Sequence, residues 1–309
     1  MHKTDLITSK NLLKKGKLVI FPTETVFGLG GDATNTKVVT KIYKLKKRPK
    51  ANPIICHFKN ITDIRNNFEI NKLEFKLAKK FWPGPLTLIL KKKKNSKISP
   101  ILSNKGPFVG CRIPNNKVAL SLLKSVNFPI AAPSANIATK SSVTYSKDID
   151  NYLRKKVYIL KGRSRLGLES TVIQVKREKI HILRLGSITD DEIKKKFKKT
   201  KVIKTNFNKL SPGNQKKHYA TNLSLRINVK KVKDNEVLLN FGKNKLSSKI
   251  LSLNLSKSGD LKEASKNFFH YLNILDKSKS YGIAVAKIPS IGLGKTMNDR
   301  LKRASFKKN

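Results

Sequence analysis

Polar groups able to handle an anion recur at the ends of apolar runs along this chain of 309 residues. The first run, residues 18–21, breaks at Pro22 into Thr23, Glu24 and Thr25. Two hydroxyls and a carboxylate thus stand at a strand exit, the end at which open α/β sheets bind ligands. Lys46, Lys47 and Arg48 close the helix-period segment that follows, bringing cations to the same place. Such a set suits the binding of phosphate or carboxylate and the neutralisation of charge on it. Cations in a last helical turn are also favoured by the macrodipole alone, so for these residues both readings stay open.

The pattern repeats. His57 closes the apolar residues 54–56, Arg112 ends the run in FVGCRIP, and Ser134 and Asn136 follow the strand-like PIAA. Ser170 and Arg184 stand at the edges of the runs 171–175 and 179–185. Taken singly, a His after a strand is most simply structural, and Ser-x-Asn after Pro an ordinary turn. Several polar exits together imply one rim of one sheet and a shared pocket. There is no Ser/His/Asp series and no carboxylate cluster, so that pocket offers cations, hydroxyls and amides.

The elements that must position these groups read as α/β. Gly28, Gly30 and Gly31 form a turn-like run, expected to supply positive φ and close backbone approach. The run matches neither GxGxxG nor a P-loop. Asn35 can cap a helix whose apolar positions are Val38, Val39, Ile42 and Leu45. Residues 5–15 and 61–82 read as helical, the latter stopping at Pro83, Gly84 and Pro85, and residues 118–123 begin another helix. Strands are expected at 86–90, 157–160, 171–175 and 179–185. From 201 to 222 periodicity fails, which predicts a linker, and Tyr219 within it has no apolar periodic neighbours to make it core. A second unit follows, with strands in EVLLNF, KILSLNL and GIAVAKI. It also carries a helix opened by Asp260 and Glu263 and a helix in MNDRLKRAS.

Composition sets bounds. With 68 Lys+Arg against 19 Asp+Glu the formal charge is +49, which favours polyanions such as ATP or tRNA. The lysines are spread throughout, so bulk charge is a weak witness. Cys56 and Cys111 are the only cysteines and are far apart, which argues against a disulfide framework or a zinc site. No run approaches a membrane span and the N-terminal residues lack a signal-type apolar core, so a soluble cytoplasmic protein is expected.

FPTETVFGLG, the K-x-R-P of residues 46–49, NPIICH, FWPGPLT, CRIP, PSAN, EST and LRLG occur in that order. Together they resemble the threonylcarbamoyl-AMP synthase family, and GLGKTMNDRLKRA resembles the ending of its longer, two-domain members. The resemblance implies a twisted mixed α/β sheet flanked by helices at 1–200, a lid-forming linker at 201–222, and a small Rossmann-like α/β domain at 223–309. The implied reaction is L-threonine, bicarbonate and ATP giving threonylcarbamoyl-AMP and pyrophosphate, a nucleotidyl transfer serving N6-threonylcarbamoyladenosine at tRNA position 37. Carried over residue by residue, Lys46, Arg48, Asn52, Asn136, Thr144, Arg184 and Tyr219 hold ATP, with Lys46 and Arg48 the catalytic cations. Thr25, His57, Arg112, Ser134 and Ser170 surround threonine. No protein metal site is implied, and Mg²⁺, if used, is held by the phosphates. A tRNA-threonylcarbamoyl transferase is the downstream partner, and tRNA contact is left open. The competing reading is a non-catalytic tRNA- or double-stranded-RNA-binding protein of the same fold. Phe27, Lys47, Phe108, Leu185 and Thr221 depart from the family pattern.

Overall fold

The computed structural model describes residues 3–205 and 219–305. Residues 206–218, which hold most of the expected lid, lie outside the described residues. The larger domain runs α1 (Lys3–Lys14), β1 (Val19–Pro22), β2 (Phe27–Asp32), α2 (Thr36–Leu45), β3 (Cys56–His57), α3 (Ile61–Asn67), α4 (Lys72–Phe81) and β4 (Leu86–Lys91). It continues through β5 (Phe108–Arg112), α5 (Lys117–Ser125), β6 (Ile130–Ala131), α6 (Asn151–Lys156) and β7 (Tyr158–Ile159). Last come β8 (Thr171–Lys176), β9 (Lys179–Arg184), α7 (Asp190–Lys196) and β10 (Val202–Lys204). Among the described residues these strands form one ten-stranded sheet in the order β10-β9-β8-β4-β5-β3-β6-β2-β1-β7. It is mixed: β3 runs parallel to β5 and antiparallel to β6, and β4 runs parallel to β8.

Two local expectations change. The Gly-rich run is not a loop but β2, paired antiparallel with β1. None of Gly28, Gly30 and Gly31 has a positive φ. What excludes side chains is crowding: a Cβ on Gly30 would lie 2.5 Å from the Phe21 ring and 2.8 Å from Ile130, and one on Gly31 would lie 2.6 Å from Val38. The tract expected as linker from 201 begins as β10, parallel to β9, with Val202 packed against the larger domain's core. Asn35 caps α2 as expected, its Oδ1 accepting from Val38 N at 3.2 Å. That helix ends with Lys47 at φ 51°, a left-handed conformation that a glycine would adopt without strain.

The smaller domain comprises β11 (Ser224–Ile227), β12 (Glu236–Asn240), β13 (Ser252–Asn254), α8 (Leu261–Leu275), β14 (Gly282–Val285) and α9 (Gly292–Ala304). Its strands are all parallel in the order β11-β14-β12-β13, over a core that includes Phe268, Phe269, Ile283 and Met297. Asp260 caps α8 by accepting from Glu263 N, while the Glu263 carboxylate takes the Ser256 hydroxyl instead of completing a capping box. Among the described residues no helix is long and apolar enough to cross a membrane.

The domains meet through Val26 and Leu168, which join the smaller domain's apolar cluster, and through polar contacts. Lys295 reaches Asp190 and Asp191 at 3.0 and 3.1 Å, the Thr296 hydroxyl donates to Gly186 O at 3.1 Å, and His270 Nδ1 lies 2.6 Å from Asp148. Gly167, at φ 80°, is pressed against α8, where a Cβ would fall 1.9 Å from Ser265 O. If β2 is glycine-rich for packing, Gly30→Ala lowers stability by about 1–3 kcal/mol in denaturant unfolding. An unchanged midpoint would show that the Phe21–Ile130 layer is looser than its geometry.

Candidate active site

The parallel pairing of β3 with β5 sets His57 directly beside Arg112, both at the ends of their strands. The turn between β1 and β2 brings Thr25 to the same rim. PSAN docks on β2 through Leu29 N to Pro133 O and Ala135 N to Phe27 O, 2.9 and 2.7 Å, which presents Ser134. Thr25, Phe27, Arg48, His57, Arg112, Ser134, Glu169, Ser170, Arg184 and Tyr219 line one cavity. Residues spread over nearly 200 positions are thus collected by sheet order together with the loops docked on the sheet.

Hydrogen bonds hold the wall groups in place. Arg112 donates from Nε to Gly84 O at 3.1 Å and from Nη1 to Thr25 Oγ1 at 2.9 Å, and its Nη2 lies 2.6 Å from the Glu24 carboxylate. Arg184 Nη2 donates to Ser170 O at 2.7 Å and Ser170 Oγ at 3.0 Å, and the Ser170 hydroxyl also meets Thr87 Oγ1 at 2.8 Å. Arg48 donates to the carbonyls of Asn52 and Pro53. A Cβ on Gly186 would lie 2.4 Å from Ser170 C, so LRLG and EST can touch only because that residue is glycine.

Burial tunes these groups. His57 is pushed down to about 3 by burial and then by the neighbouring Arg112 charge, so its imidazole is neutral near neutral pH. Burial lowers Arg48 to about 10 and also lowers Arg184. For Glu169, burial by itself would raise the carboxyl, but the charges of Arg300 and Arg184 and the Ser142 hydroxyl outweigh it and bring it to about 2.

Four expected ATP residues do not line this cavity. Lys46 is buried and its ammonium bonds the backbone carbonyls of Ser134 and Asn136, bracing PSAN from behind. Burial, and then the charge of Arg48, push it well below the ordinary lysine range. Asn52 contributes its carbonyl to Tyr43 and Arg48. Asn136 lines a neighbouring interdomain cavity of about 250 Å³ with Lys140, Asp148 and Asn273. Thr144 is buried, its carbonyl accepting from Ser164 N. Asn136 Oδ1, Thr144 Oγ1 and His57 Nδ1 are nonetheless buried without hydrogen-bond partners among the described residues, with backbone groups of Ile130 and Ile55 near the imidazole. Such atoms suit a polar ligand.

Tyr219 corrects the expectation that it is not core. It is 0% exposed, stacks on Phe269 with centroids 5.7 Å apart, and belongs to the apolar cluster of the smaller domain. Its partners come from α8, some fifty residues downstream, which local periodicity cannot show. Phe108 packs on Ile89, Val172 and Leu183 and does not line the cavity. Glu169 and Arg300 are not among the site residues expected from the sequence, and Glu24 is expected only as the carboxylate at the first strand exit. Arg300 has a legible signal, because it falls on the apolar stripe Leu293, Met297, Leu301 and Ala304 of α9, where a charge needs a buried partner.

A family model described as "Telomere recombination" (Sua5/YciO/YrdC) matches residues 11–186, and one described as "Threonylcarbamoyl-AMP synthase, C-terminal domain" matches residues 175–305. The threonylcarbamoyl-AMP synthase of Pyrococcus abyssi is 33% identical over 95% of this chain and 92% of its own length. That of Bacillus subtilis is 37% identical over 70% of this chain and 64% of its own length. The crystal structure of P. abyssi Sua5 complexed with L-threonine aligns with a TM-score of 0.88 at 29% identity, covering 99% of this chain and 95% of that one. Matched in both domains and over nearly its whole length, the chain belongs to the threonylcarbamoyl-AMP synthase family.

Proposed function

We infer that this chain is an L-threonylcarbamoyladenylate synthase, making threonylcarbamoyl-AMP and pyrophosphate from L-threonine, bicarbonate and ATP for N6-threonylcarbamoyladenosine at tRNA position 37. The observation that carries this is the rim on which Arg112, His57, Thr25, Ser134 and Ser170 converge, in a chain that aligns throughout with a relative solved with L-threonine bound. In this reading the synthase unit runs through β10, residues 223–309 form the smaller domain, and the linker between them is assigned as the lid.

The chemistry follows from what the groups can do. Threonine's α-amine adds to the bicarbonate carbon, with loss of water, to give a carbamate. A carbamate oxygen then attacks the α-phosphorus of ATP as the bond to pyrophosphate breaks, which makes the enzyme a nucleotidyltransferase. Neither step needs a protein nucleophile. Arg112 retains N–H groups for the threonine carboxylate, and neutral His57 can bond a substrate hydroxyl or amine. Arg48 and Arg184 face charge that develops on phosphate oxygens, and Lys46 keeps Ser134 and Asn136 in register. Glu24 and Glu169 are both tied to arginines, so a Mg²⁺ accompanying ATP would be held by the phosphates. The same reading has the chain working in the cytoplasm and passing its product to a tRNA-threonylcarbamoyl transferase, with its net positive charge favouring tRNA nearby.

Arg112→Ala removes the partner of one substrate carboxylate, so calorimetry is expected to show threonine binding weakened by roughly 2–5 kcal/mol, with ATP binding changed less. Equal losses for both ligands would place Arg112 elsewhere in the mechanism. Because His57 stays neutral down to about 3, threonine affinity is expected to show no histidine titration between about pH 5 and 7. An inflection near the ordinary histidine value that disappears in His57→Gln would contradict a neutral imidazole.

A further inference from the structure

One side chain of the smaller domain ties several parts of the cavity wall together. Arg300, on α9, is 1% exposed and crosses the domain boundary to meet two residues of the larger domain. Its Nε lies 3.2 Å from Glu169 Oε2 and its Nη2 donates to Leu185 O at 2.6 Å. Its guanidinium also sits 4.9 Å from the centre of the Tyr219 ring. Each contact touches the wall or is one residue from it: Glu169 precedes Ser170, Leu185 follows Arg184, and Ser170 and Arg184 are bonded to each other.

We propose that Arg300 is a positioning residue for synthesis, fixing Tyr219 and the Ser170–Arg184 pair so that the smaller domain completes the active-site wall. This deepens the synthase reading and rests on it. A purely adhesive role fits the geometry less well. The helix is already anchored near its start by Thr296 to Gly186 and by Lys295 to Asp190 and Asp191, the latter contact holding the domains together away from the wall. A buried ion pair is also a poor source of stability, whereas its directional bonds hold a geometry well. The planar fork matters here because one group must serve a carboxylate, a carbonyl and a ring face simultaneously, which an ammonium cannot do. Ser142 donates to the other oxygen of Glu169 at 2.7 Å, so the carboxylate is held from both sides and transmits the position of Arg300 to the EST turn.

The test uses full-length Arg300→Met, Arg300→Lys and Glu169→Gln/Arg300→Met, assayed below their unfolding temperatures for pyrophosphate release with threonine, bicarbonate and ATP. Free AMP from lost adenylate is measured in parallel. The expected result is a fall in kcat of about 10- to 100-fold in Arg300→Met with a larger share of AMP, and only partial recovery in Arg300→Lys. Tyr219→Ala/Arg300→Met is expected to be no worse than the more damaged single variant, because both act on one wall. If Arg300→Met fails to fold, the double variant with Glu169→Gln removes both buried charges and is held to the same expectation. Wild-type kcat and AMP share in the folded variants, or fully additive losses with Tyr219→Ala, would overturn the proposal. Wild-type protein that releases no threonine-dependent pyrophosphate would instead overturn the synthase reading, and this inference with it.

Discussion

Buried positive charge is the constraint on which this molecule depends. Lys46, Arg48, Arg112 and Arg184 are all buried around one region, with Arg300 behind it, and the buried carboxylates set among them are Glu24 and Glu169. Taking a cation out of water costs on the order of several kcal/mol unless hydrogen bonds replace its hydration. Each of these is accordingly lodged against carbonyls, hydroxyls or a carboxylate. The excess of cations suits a site that must hold a triphosphate, bicarbonate and an amino-acid carboxylate.

That constraint explains features of the fold that are otherwise unrelated. Lys46 can be buried because PSAN turns two carbonyls toward it. PSAN lies there because the backbone of β2 pairs with it through Leu29 N and Phe27 O, with Gly28 bridged to Ser134. Arg112 can end β5 because the β1–β2 turn supplies Glu24 and Thr25. Strand order, crowding and electrostatics are satisfied by one arrangement, which is what a well-specified sequence requires.

The polar rim was legible because apolar runs marked the strands and the chemistry-bearing residues stood at their ends. Sheet order was not legible, and it is sheet order that sets His57 beside Arg112. The glycine run was misread as a loop because glycine signals both positive φ and close packing, and only the neighbours Phe21, Ile130 and Val38 decide between them. The short strands β10 and β11 carry too few residues to show a period. Tyr219 and Arg300 depend on contacts between distant segments, and a local window sees only an isolated aromatic residue and a helical cation. Lys47 could be noticed as a departure, but its left-handed backbone is visible only in three dimensions.

The central claim is that a cation-lined cavity joins threonine, bicarbonate and ATP without using a protein nucleophile. It is tested most directly by following pyrophosphate release from ATP while threonine and bicarbonate are withheld in turn. The account predicts release that requires both, with threonylcarbamoyl-AMP formed in equal amount. Release that is indifferent to threonine or bicarbonate, or tight threonine and ATP binding without any pyrophosphate, would contradict it.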